Sequence, residues 1–294
     1  MLKKIVSIAL LLMMNGITHA ADNIEVNADM GKPGQPTRVP KENEFKVCAD
    51  QNNLPYSNSA GEGFENKIAE VLAADLGKEL SYQYWPDRFG FLRNTLNAYR
   101  CDYIIGTNTT YDALGTTKPY YKAGHVWVYR KDSGFDIKDW SSPDLKKGTI
   151  GVNDKSPVAV ALNANGLMFN AKPYRIQRDL NTSPGLLIDD LVKGDIDVAI
   201  AWGPIGGYYA KQSKADLVVV QIPEYASDES KLNGKTYWNI SGGVRKKETE
   251  RRDELEGAID RNIDKIYQIM EDFGVPYAKP SFDDRLDGYN RHKN

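Results

Sequence analysis

Apolar and polar positions alternate in blocks along this chain, and the blocks repeat in a fixed order. From Phe45 to Leu76 a short apolar run, FKVCAD, empties into a polar, turn-rich loop, QNNLPYSNSAGEG. A segment follows with Phe64, Ile68, Leu72 and Leu76 at helical spacing, and Gly77 stands where a helix should stop. LSYQYW then alternates as a strand, a helical stretch surrounds Phe91, Thr95 and Leu96, and CDYIIG reads as a third strand. Strand, helix, strand, helix, strand is the order of a parallel sheet with crossover helices. HVWVYRK is extended, and after a polar stretch the βα pattern restarts with GTIGVN. Ser156 and Pro157 predict a helix start with an N-cap and proline at the first helical position, and Ser183 and Pro184 predict another. AKPYRIQ, DVAIAW and DLVVVQI supply further strands, and YWNISGGVRKK is an extended return. From Glu248 to Phe273, Leu255, Ile259, Ile263, Ile266 and Met270 recur at helical spacing beneath a charged, solvated face.

Two successive βα units imply two lobes. The pattern places a discontinuous lobe over residues 43–124 plus 242–294, clasping an inserted lobe over 125–241. Two extended crossings between them form a hinge, so closure over a cleft is the expected motion. The predicted fold class is α/β, with a mainly parallel sheet flanked by helices in each lobe.

The first residues add the compartment. Lys3 and Lys4 precede an apolar run from Ile5 to Met14, and Thr18, His19 and the small residue Ala20 lead to Ala21. This reads as a secretory signal peptide over residues 1–20, its apolar core being too short to span a bilayer. A polar leader rich in Gly and Pro follows over residues 21–43. The mature protein is expected in the periplasm, with no membrane insertion once the signal is cut. Cleavage removes two lysines and moves the formal charge from −2 to −4. A mildly acidic chain with dispersed Lys and Arg does not suit nucleic acid. In an oxidising compartment the only two cysteines, Cys48 and Cys101, favour a disulfide over two buried free thiols. Neighbouring parallel strands would bring them close without fixing their register.

Catalysis finds little to use. Of three histidines, His19 leaves with the signal, His292 lies in the polar tail, and His125 sits in an apolar strand where a core or hinge role is the commoner one. No HExxH, Cys/His cluster or calcium-loop pattern is present, and GPIGG lacks both the P-loop lysine and the dinucleotide spacing. The sequence therefore predicts no enzyme, no metal and no cofactor.

Binding has more to draw on. In open α/β sheets ligands collect outside the carboxyl ends of the strands. Those ends carry Asp50, Asn52 and Tyr56, then Asn108 and Thr109, then Asn153 and Ser156 in the second lobe, with Trp202 closing DVAIAW. Free backbone N–H groups at a helix start near Ser156 would suit an anion. Each of these side chains is as readily read as the cap of a turn or helix.

The order and spacing of these segments resemble the two-lobed type II periplasmic solute-binding proteins. In members that take up amino acids, an arginine after the third strand holds the ligand carboxylate and an aspartate in the second lobe holds its amine. This chain has no arginine between Arg100 and Arg130, and DVAIAWGPIGG places Trp202 and Gly203 where the aspartate would stand. A zwitterion stripped of water without charged partners is poorly compensated, which argues against a free amino acid. The phrases VCADQNNLPYSN, GFENKIAE, FLRNTLNAYRCDYIIG, TTKPYY and AIAWGPIGGYYA resemble the solute-binding-like J-protein family of methanol-oxidation gene clusters, with its MxaJ/MoxJ and XoxJ branches. That resemblance implies a periplasmic accessory protein, taken to be a monomer, whose partners are subunits of a pyrroloquinoline-quinone (PQQ) methanol dehydrogenase. The alternative is a receptor delivering a small non-amino-acid solute to an ABC transporter.

Overall fold

The computed structural model of the chain describes residues 38–87, 90–175, 182–225 and 233–285. The expected signal peptide, most of the leader, His19 and His292 lie outside the described residues. Among the described residues there are twelve strands, β1 (Glu44–Ala49), β2 (Asn52–Asn53), β3 (Ser57–Asn58), β4 (Glu79–Tyr84), β5 (Ile104–Asn108), β6 (Leu114–Thr116), β7 (Tyr121–Arg130), β8 (Ile150–Asn153), β9 (Ala171–Tyr174), β10 (Val198–Trp202), β11 (Leu217–Gln221) and β12 (Tyr237–Arg245). The helices are α1 (Phe64–Asp75), α2 (Phe91–Asn94), α3 (Ala159–Ala164), α4 (Leu186–Lys193), α5 (Gly203–Gln212), α6 (Thr249–Arg261) and α7 (Ile263–Asp272).

One core gathers Phe45, Phe64, Ile68, Leu72, Tyr103 and Tyr120 with Leu255, Ile259, Ile266 and Met270 from the C-terminal helices. Here β1 pairs in parallel with β4, and a bridge from Val47 to Tyr103 carries the parallel order toward β5. Two further clusters flank the second sheet. Trp127, Trp140, Ile150 and Leu162 lie in one, and Val126, Val128, Leu187 and Leu191 in the other. Alternating side chains of β7 feed both clusters, as the two-residue period of a strand requires. The same strand begins in the first core, with Tyr121 and Ala123. It therefore runs continuously from one core to the next. β12 lies antiparallel beside it, Tyr237 opposite Gly124 and Ile240 opposite Tyr121.

Several elements depart from the sequence reading. The second sheet is mixed, because β10, β8 and β9 are parallel while β7 is antiparallel to both β10 and β11. DLVVVQI has the composition of a strand, but nothing in its pattern encodes the direction of its partner. The helix expected at Ser156 begins at Ala159 instead. Lys155 is left-handed (φ 61°), and successive turns, Ser156 N–H to Asn153 C=O (3.1 Å) and Ala159 N–H to Ser156 C=O (3.1 Å), occupy the chain first. The same delay moves the next helix to Leu186, with the Ser183 hydroxyl accepting from Gly185 N–H (3.1 Å). The stretch from Glu248 to Phe273 breaks at Asn262, whose side-chain amide donates to Ala258 C=O (2.9 Å). α1 ends as its sequence predicts: Gly77 takes φ 62°, and Lys78 N–H closes onto Ala73 C=O (2.9 Å).

Cys48 and Cys101 form a disulfide, with their Cα atoms 5.3 Å apart. Beside it Asp102, fully buried, receives the guanidinium groups of Arg245 and Arg38. Arg245 also donates to the carbonyls of Leu96 (3.1 Å) and Cys101 (2.6 Å). A buried carboxylate is tolerable here because both of its oxygens meet cations.

Candidate functional site

The loop after β1 is built to hold Tyr56. Asp50 uses its carboxylate internally, accepting from Asn52 N–H (2.9 Å) and Asp87 N–H (2.8 Å). The Ser57 hydroxyl donates to Asp50 C=O (2.8 Å). The first turn of α1 spends its free N–H groups on this loop, Phe64 donating to Pro55 C=O (2.8 Å) and Glu65 to Tyr56 C=O (2.9 Å). These donors would otherwise be orphans at a helix start. Gly63 is required there, because a Cβ would stand 2.0 Å from the Tyr56 carbonyl oxygen.

Across from this loop, Trp202 ends β10. Its indole Nε1–H donates to the Tyr56 hydroxyl at 2.6 Å. The indole packs edge-on against His125 (5.3 Å between ring centres) and Trp238 (5.5 Å), and those two rings meet at 5.7 Å. Such tilted contacts match the positive edge of one ring to the negative face of another. Burial lowers the His125 pKa to about 4, so the imidazole is neutral at neutral pH. Its Nε2 lies 3.4 Å from the Ser156 hydroxyl, and its Nδ1 is buried without a partner. The GPIGG stretch then makes a close seam, since a Cβ at Gly207 would stand 2.2 Å from Gly274 C=O. Further along α5, Lys211 Nζ donates to the carbonyls of Glu271 (3.1 Å) and Asp272 (2.8 Å). The glycines thus serve packing rather than phosphate binding.

Beneath the Trp202 and Tyr56 pair lies a cavity of about 230 Å³. Asp50, Tyr56, Asn108 and Trp202 of the sequence-predicted set line it. Asn52 is exposed on the small β2–β3 hairpin. Thr109 is buried elsewhere, its hydroxyl 2.6 Å from that of Ser241. Asn153 and Ser156 do not border this cavity; Ser156 reaches it only through His125 and Trp202. Ser156 also precedes a six-residue helix and caps nothing, so the expected anion site at a helix start is not formed.

The sequence reading missed the cavity's most unusual group. Glu65, on the first turn of α1, lies over β5, its Oε1 2.2 Å from where a Cβ on Gly106 would be. By surface area it is half-buried, because it faces the cavity, yet protein encloses it on its other sides. That enclosure, together with the Asp87 charge, raises its pKa to about 8. At neutral pH it is mainly a protonated acid. Burial likewise raises the Tyr56 and Tyr121 hydroxyls, so both stay neutral. No Lys, Arg or His occurs among the described residues that line the cavity. No group of three or more His, Cys, Asp or Glu able to hold a metal is found among the described residues.

A family model for bacterial extracellular solute-binding proteins, family 3, matches residues 45–274. Protein MoxJ of Methylorubrum extorquens is 28% identical over 250 residues, covering 81% of this chain and 82% of that one. Protein MoxJ of Paracoccus denitrificans is 27% identical over 248 residues, covering 81% and 90%. Among solved structures, MxaJ from Methlophaga aminisulfidivorans MPT superposes with a TM-score of 0.71 at 28% identity, over 80% of this chain and all of that one. The periplasmic binding protein XoxJ from Methylobacterium extorquens AM1 gives 0.66 at 31% identity, again over 80% of this chain and all of that one. With β7 running from the first core into the further clusters and a family match across nearly all of the described residues, the chain belongs to family 3 of the bacterial extracellular solute-binding proteins, as a MxaJ/MoxJ-like type II member.

Proposed function

We propose that this protein is a non-catalytic periplasmic accessory protein of a PQQ-dependent methanol dehydrogenase system, assisting maturation or assembly of the dehydrogenase through protein–protein contact. The single observation that carries this reading is the filled mouth of the cleft, where Trp202 is hydrogen-bonded to Tyr56 at 2.6 Å. A receptor that closes on its ligand gains its closing contacts from that ligand. Here the chain's own side chains make them, and the described residues that line the cavity offer no basic group to a ligand carboxylate. Likeness to the MoxJ proteins, MxaJ and XoxJ points the same way. In this account lobe 1 (residues 43–124 and 242–294) and lobe 2 (125–241) hinge on β7 and β12, and the partner meets their outer surfaces.

The second reading is a receptor handing a small non-amino-acid solute to an ABC transporter, and the 230 Å³ cavity is what favours it. Deleting the gene in its native host separates the two. An accessory role predicts dehydrogenase subunits present in the periplasm but deficient in activity, restored by the chain supplied in trans. Normal dehydrogenase activity with impaired uptake of a solute would favour the receptor.

A further inference from the structure

The Glu65 cavity has a chemistry that the accessory role does not use. The Glu65 side chain meets no hydrogen-bond donor among the described residues, although it is held deep against Gly106. Burying a carboxyl group without a partner is unfavourable, and a chain that only needed to fill this space would place an apolar side chain there. Phe91, Tyr121 and Trp202 stand around the same space, with Ile104 and Ile240 as its apolar floor. A neighbouring groove shares Asp87, Phe91, Ile104, Gly106 and Thr107 with the cavity and leads outward, so a route of entry exists beside the Trp202 and Tyr56 contact. Acidic and aromatic walls without a cationic side chain among the described lining residues repel carboxylates and phosphates. They suit a compact cation with an apolar skin, which gains from a counter-ion and from the faces of aromatic rings.

We propose that this cavity binds a small organic ammonium ion, with the Glu65 carboxylate as its counter-ion and Phe91, Tyr121 and Trp202 among its aromatic walls. Binding drives a proton off Glu65, because the cation favours the charged form of the acid beside it. Other titratable groups face Glu65. Asp87 adds negative charge, while the Tyr56, Tyr82, Tyr120 and Tyr121 hydroxyls are held neutral by burial. Asp50 lines the same space with its carboxylate engaged by backbone N–H groups, and Arg93 lies farther out, in the groove. With Glu65 titrating at about 8, affinity falls about tenfold between pH 7 and pH 6.

The test is calorimetric titration of the purified mature protein with methylammonium, trimethylammonium and tetramethylammonium chlorides, sodium chloride at matched ionic strength being the blank. The expected result is saturable binding of at least one of the three. Proton release should be visible as a heat that changes with the ionisation enthalpy of the buffer, with a tenfold weakening at pH 6. Glu65→Gln should weaken that binding at least tenfold while keeping the wild-type circular dichroism spectrum. No saturable heat with any of the three ions and the wild-type protein would overturn the proposal, whatever the variant does. So would binding that is unchanged in a folded Glu65→Gln protein.

Discussion

Replacing Trp202 by alanine tests whether the chain seals its own cleft. The indole makes a 2.6 Å hydrogen bond to Tyr56 and two edge-on ring contacts, at 5.3 and 5.5 Å. Each ring pair contributes about 0.5–1.5 kcal/mol beyond its buried area. Leaving the Tyr56 hydroxyl unpaired costs about 1–3 kcal/mol. Truncating a buried Trp to Ala costs about 3–5 kcal/mol in all, and a half-buried ring takes the lower end, so the expected loss is about 3 kcal/mol. In a chain of this size 1 kcal/mol lowers Tm by about 2–4 °C, which gives a fall of about 6–12 °C. Scanning calorimetry reads the loss of stability, and small-angle scattering reads the opening of the lobes as a larger radius of gyration. Trp202→Phe, which keeps a ring but removes the donor, should fall between the variant and the wild type. If Trp202→Ala melts within about 2 °C of the wild type and scatters identically, the indole does not hold the lobes together and the self-sealing argument fails.

Other consequences can be checked independently. Alkylation of the unreduced, denatured protein followed by intact-mass measurement should label no thiol. The pair Cys48→Ala with Cys101→Ala should lose about 4 kcal/mol, from a cross-link that spans 53 residues of sequence. Glu65 titrates higher in the folded chain than in the unfolded one, so the folded state binds the extra proton and stability falls as pH rises from about 4.5 to about 8. Glu65→Gln should therefore flatten that window and raise Tm at pH 8 more than at pH 5; equal gains at both would show that Glu65 does not titrate as described. Arg245→Met removes one of three guanidinium groups around buried Asp102 and should cost about 3 kcal/mol in urea unfolding, whereas a change below about 1 kcal/mol would mean that Arg38 and Arg251 suffice without it.

Much of this architecture is legible in the chain because its strands are short apolar runs bounded by turns, and because α1 carries both its apolar period and its glycine stop. Direction and fine boundaries are less so. The pairing of β11 antiparallel to β7 depends on a partner some ninety residues away, and the turns before α3 depend on Lys155 adopting a left-handed backbone that lysine seldom takes. The site divides in the same way. Asp50, Tyr56, Asn108 and Trp202 could be found because they end strands or open loops. Asn52 and Thr109 satisfy the same rule and miss the cavity, since neighbouring residues at a strand end point to opposite sides. Glu65 was invisible for a different reason. An acid on the first turn of a helix is ordinary, and only the three-dimensional approach of Gly106 turns this one into a buried acid facing a cavity. His125 could be placed in a strand, but the three-ring cluster it forms with Trp202 and Trp238 draws on β7, β10 and β12, which sequence spacing does not connect.

The accessory role rests on contact with the dehydrogenase, and the most direct measurement is a pull-down from native periplasmic extract with the mature protein as bait, the eluate being identified by mass spectrometry. The account predicts recovery of quinoprotein methanol dehydrogenase subunits in proportion to the bait, equally with wild-type protein and with Glu65→Gln. Absence of those subunits from an extract that contains them, together with a small solute released on denaturing the bait, would contradict it and make the protein a receptor.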